Sequence, residues 1–133
     1  MPATTHTLTF GAAGGGNTQS GIQCTSTGVS TTEVYETIAV STTNQLQALA
    51  IAHAKLQSLF IYATAALTLK FNSSGSPDIT WVLAANTPLV WASGMPYPTS
   101  GNPLGSVDVA SVYITNASST TAADIYILAN QSA

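Results

Sequence analysis

The residues able to do chemistry are few and far apart. Two histidines (His6, His53), one cysteine (Cys24) and five acids (Glu33, Glu36, Asp78, Asp108, Asp124) are the groups to test first as bases, nucleophiles or metal ligands. Metal binding needs convergent His, Cys or carboxylate ligands, and neither histidine has a second ligand at a usual spacing. The acids form no run like a calcium-binding loop, so Asp78, Asp108 and Asp124 read as solvated turn residues. Nucleophilic catalysis needs a Ser or Cys beside an oriented base. No Gly-x-Ser-x-Gly elbow occurs, and Cys24 sits among Thr and Ser with no charge to activate it, which suits a structural role. A glycosidase needs two facing carboxylates, but Glu33 and Glu36 fall on opposite faces of a strand. The expectation is no enzyme, no cofactor and no metal. Gly14, Gly15 and Gly16 are followed by no Gly-Lys-Ser/Thr and no helical pattern, so they do not read as a phosphate loop.

The elements that must position any site follow from composition. The chain has 133 residues, enough for one domain with a buried core. Charged residues make up 5%, against about 25% in an average soluble domain. Lys55 and Lys70 are the only bases, too few for the electrostatics of nucleic acid or of an anionic membrane. No apolar stretch is long enough for a membrane-spanning helix, and Met1 to His6 lack the basic and apolar regions of a signal peptide. Ser and Thr supply 35 residues, Thr the larger share. Threonine is β-branched and keeps a solvated hydroxyl, so a Thr-rich, charge-poor chain reads as all-β.

Alternation and turn signals give the strands. Thr4 to Phe10 alternates, and 11–21 reads as a flexible Gly-rich arm; 23–32 is polar and poorly periodic. Glu33 to Val40 alternates, with Val34, Ile38 and Val40 on one parity. Residues 43–63 fit a helix through Leu46, Leu49, Ala50, His53, Leu56 and Phe60. They also fit two strands, 45–51 and 56–62, turning at His53-Ala54-Lys55, which the bulky second half favours. Further strands are expected at 66–72, 79–83, 89–91, 106–115 and 122–129, with a Pro- and Gly-rich loop over 93–105. The expectation is a single-domain, jelly-roll-like β-sandwich over 33–133, with a strand and arm over 1–32. Few Lys or acids are left to guard its sheet edges, so either partner chains cover them, which composition favours, or loops and turns blunt them within a monomer. Trp81 and Trp91 lie in apolar strands and are expected in the core. With Tyr97 and Tyr113 they are the alternative candidates for a sugar-stacking platform.

From Leu56 onward the chain resembles the small jelly-roll cement or decoration proteins of tailed bacteriophages. The likeness rests on Leu56-Gln57-Ser58-Leu59-Phe60-Ile61 and Leu67-Thr68-Leu69-Lys70-Phe71-Asn72-Ser73-Ser74. It continues through Pro88-Leu89-Val90-Trp91 and the Gly/Pro loop to Val112-Tyr113-Ile114-Thr115-Asn116-Ala117-Ser118 and Ile125-Tyr126-Ile127-Leu128. It covers the C-terminal 60% or so and has no counterpart for the Gly-rich segment. The resemblance implies a virion protein, made in the host cytoplasm, that binds the major capsid protein outside an assembled head as a homo-oligomer, a trimer favoured. Phe10, Gly14, Gly15, Gly16, Met95 and Tyr97 are the expected partner contacts. The alternative is a carbohydrate-binding module on a virion surface or fibre, and a weaker third is a hydrolase using His53.

Overall fold

The computed structural model describes residues 4–12, 19–95 and 101–133. These form ten strands: β1 Thr4–Ala12, β2 Gln19–Gly28, β3 Ser30–Ile38, β4 Thr42–Ile51, β5 Leu56–Ala63, β6 Leu67–Phe71, β7 Ile79–Leu83, β8 Leu89–Ala92, β9 Val109–Asn116 and β10 Ala123–Gln131. Strands β3 to β10 make two four-stranded antiparallel sheets, ordered β3-β10-β5-β8 and β4-β9-β6-β7. Eight strands in that interleaved order are a jelly roll. Strands β1 and β2 form a separate two-stranded sheet.

The pleat explains the core. In β6 and β9 the apolar alternation turns Leu67, Leu69, Phe71, Val112 and Ile114 inward, each at most 2% exposed. The opposing sheet contributes Val34, Ile38, Leu59, Ile61, Trp91, Ile125 and Ile127. Trp91 is buried as expected, whereas Trp81 is half-buried and packs edge-on against Phe71.

Residues 43–63 are two strands rather than a helix. One 3-10 turn at His53–Lys55 joins β4 to β5. Burying Leu49, Ile51, Leu59 and Ile61 between sheets outweighs the helix propensity of the alanines. The polar stretch over 19–32 is strand as well: hydroxyl side chains suit a ladder whose backbone bonds do not depend on apolar periodicity. The arm expected over 11–21 is therefore shorter. Gly11 and Ala12 end β1, and Gln19 begins β2. Val40, expected inward, is exposed, because β3 ends at Ile38 and Ser41 turns the chain with φ 54°.

With so few charges, amide side chains tie the two sheets together at their corners. Asn116 on β9 is fully buried. Its Nδ2 donates to the carbonyls of Ile38 (3.2 Å), Ala39 (3.2 Å) and Thr121 (2.9 Å), and its Oδ1 accepts from the Ser118 amide (3.1 Å). Gln131 on β10 reaches β4 in the same way. Its Nε2 donates to the Ala50 carbonyl (2.9 Å), and its Oε1 accepts from the Ala52 amide (2.8 Å). A buried group left unsatisfied costs about 1–3 kcal/mol, so these staples are expensive to lose. Asn116→Ala is expected to destabilise the fold by about 2 kcal/mol or more. Asn116→Asp, which sets an oxygen against carbonyl oxygens, should destabilise further. Urea denaturation midpoints check both.

Candidate functional site

Antiparallel partners share a face, so the register alone assembles a row of tyrosines outside the β3-β10-β5-β8 sheet. Tyr35 pairs with Tyr126, and Tyr126 pairs with Tyr62. The next outward row is Glu33, Leu128, Phe60 and Val90. Tyr35 and Tyr126 are 54% and 38% exposed, high for rings on a strand, and their centroids lie 4.3 Å apart. Phe60 and Tyr62 stack nearly parallel at 6.5 Å. A polar rim borders the row: the Tyr62 hydroxyl donates to Asn86 Oδ1 (2.7 Å) and the Thr37 hydroxyl to Asp124 Oδ1 (2.7 Å). The hydrogen bond with Tyr126, and then the Asp124 carboxylate, hold the Tyr35 phenol above its usual pKa. Flat rings with hydroxyl, amide and carboxylate groups at their margin can stack on a ligand or on a protein surface.

Strand β2 packs against β10, β5 and β8, crossing part of the same face. Beneath it Ser58, Asn130 and Ala92 are buried although the register turns them outward. Gly28 is required there, because a Cβ at that position would run into the Asn130 side chain and the Gln131 carbonyl.

The sequence platform of Trp81, Trp91, Tyr97 and Tyr113 does not come together. Trp91 is buried, and Trp81 packs on the core of the other sheet. Tyr113 lies on the outer face of that other sheet, opposite Leu46 and Lys70. Of the expected contact residues, Gly14, Gly15, Gly16 and Tyr97 lie outside the described residues. Phe10 is in β1, opposite Ile22. Met95 is half-buried against the core, and its sulfur accepts the Ala92 amide at 3.2 Å. Tyr35, Tyr62 and Tyr126 were findable one at a time, by their parity, but not as a row.

A second cluster gathers at the end of the sandwich. Asp108 Oδ1 accepts from both the backbone amide (2.9 Å) and the Nδ1 (2.7 Å) of His53, a pairing across 55 positions of sequence. Asp108 is thus more than a solvated turn residue, although its side chain is 71% exposed. Asn72 completes the cluster. Its Nδ2 donates to Asp78 Oδ2 (2.7 Å) and to the Asp108 carbonyl (2.8 Å), and its Oδ1 accepts from the Ala110 amide (2.8 Å). An open groove of about 470 Å³ lies alongside, lined in part by Ser30, Ile51, Lys55, Asp108, Gln131 and Ser132. No group of three His, Cys, Asp or Glu side chains able to hold a metal exists among the described residues. The cluster acts on the chain itself: it clamps the His53–Lys55 turn to the start of β9.

Comparison with protein families, with curated proteins and with solved structures finds no match to this chain.

The backbone hydrogen bond from His53, and then its side-chain bond, hold the Asp108 carboxyl below its usual pKa. A carboxyl lowered in the folded state stabilises the fold above its unfolded value of about 3.9, and that contribution disappears as pH falls through the folded value. The thermal stability lost in Asp108→Asn should therefore be clear near neutral pH and should shrink in melts recorded below about pH 4.

Proposed function

We propose that this protein is a structural subunit of a larger shell, a cement or decoration protein that binds the outside of an assembled phage head. It would sit on the major capsid protein as a homo-oligomer, a trimer favoured, having been made in the host cytoplasm. The observation that supports this reading best is the exposed tyrosine row on a jelly roll with so few surface charges. Exposed rings are a common anchor of protein interfaces, where they bury much area and lose little rotamer freedom. A charge-poor, hydroxyl-rich surface costs less to desolvate against a neighbour than a charged one, provided its hydroxyls find hydrogen-bond partners there. A protein that binds the assembled shell and not its free subunits stabilises the shell by its binding free energy, summed over many equivalent positions. The reading needs no reaction.

The test adds purified protein to heads that lack it. The expected result is saturable binding and a higher temperature of shell rupture. Tyr35→Ala with Tyr126→Ala should weaken binding by roughly 30-fold, the size of an interface hot spot of about 2 kcal/mol. No binding to any such shell would end the proposal.

A carbohydrate-binding module is the second reading, favoured by the polar rim of Glu33, Asp124 and Asn86 beside the rings. Glycan-array binding that Tyr62→Ala abolishes would support it, and an array without signal would count against it.

A further inference from the structure

The sheet edges of this molecule are not equally guarded. Unpaired strand edges invite pairing with another chain unless charge, proline, shortness or a bulge blunts them. Each edge strand of the sandwich carries one of these devices. Strand β3 bears Glu33 and Glu36, and β4 is irregular twice, between Thr42 and Gln45 and between Ala48 and Ile51. Strand β7 has five residues and follows Pro77-Asp78; β8 has four and follows Pro88.

The β1–β2 sheet is the exception. Its strands are nine and ten residues long, with no proline and no Lys, Arg, Asp or Glu in either. They pair with each other over eight register positions, interrupted once between Phe10 and Ala12. Neither joins another sheet among the described residues, so each keeps one open backbone edge. A two-stranded sheet by itself is marginal in water; β2 rests on the sandwich, and further strands at the two open edges would stabilise the pair more.

We propose that the β1–β2 sheet joins copies of this chain edge to edge, through backbone hydrogen bonds. A second copy is the occupant that fits. Because both edges are open, head-to-tail pairing around a closed ring leaves none unpaired, whereas a single foreign strand fills only one. Charge agrees: the chain is −3 overall, but the pairing strands contribute nothing to that, so copies meet there without like-charge repulsion at the contact. This inference rests on the oligomeric subunit proposed above and names the element that holds the oligomer.

The test uses full-length protein and no shell, so its failure leaves shell binding to be judged by its own experiment. Proline is placed singly at His6, Thr7, Leu8 and Thr9. Alternate positions remove an N–H that faces β2 and an N–H that faces the open edge. Wild type is expected to run as a defined oligomer by light scattering. The two prolines at the open edge should reduce its mass to the 13.6 kDa of one chain, with tryptophan fluorescence and the melt of the sandwich retained. In parallel, hydrogen exchange of alternate β1 amides should slow as concentration rises. A wild type that is monomeric at its highest soluble concentration, an oligomer that survives all four prolines, or concentration-independent exchange in β1 would each overturn the inference.

Discussion

Strand β10 lies between β3 and β5 and hydrogen-bonds to both, and the parity of its residues governs the whole first sheet. Ile125, Ile127 and Ala129 must point inward, because they fill the layer opposite Leu69, Phe71 and Ile114. A slip of one residue would send them to solvent and drive Tyr126 and Leu128 into the core. The register that satisfies the core is therefore the register that lines up Tyr35, Tyr126 and Tyr62 outside. The candidate surface is a consequence of core packing: the register that fills the core also fixes which rings share the outer face.

The scarcity of charge shapes everything else. Contacts that other proteins make with ion pairs are made here by amide side chains: Asn116 and Gln131 between the sheets, and Asn72 at the end of the sandwich. Such bonds are nearly insensitive to salt, unlike exposed ion pairs. The His53–Asp108 contact is the one place where a titratable pair does this work among the described residues. Low charge also removes the cheapest protection from sheet edges. The sandwich compensates with short strands, flanking prolines and irregular pairing, and the β1–β2 sheet does not.

Local pattern was informative where alternation was clean. The strands through Leu67, Leu69 and Phe71, through Ile79 to Leu83, and through Ile125 and Ile127 are where apolar periodicity puts them. It failed where strands are built of Thr, Ser and Gln, as in β2, whose ladder is held by backbone bonds that leave no hydrophobic signature. It was silent on contacts such as His53 with Asp108, which need two distant turns to meet.

Composition and alternation by themselves determined that this chain is all-β and which side of each clean strand enters the core of the sandwich. Those are local properties: the period of a strand is two, and a β-branched, uncharged residue favours the pleat wherever it stands. Only the tertiary structure decided the interleaving of the two sheets, the meeting of three tyrosines, and which edges stay open among the described residues. Those depend on pairing between strands tens of residues apart, and such pairing is selected by how the two inner faces pack against each other, a free energy that no single segment carries.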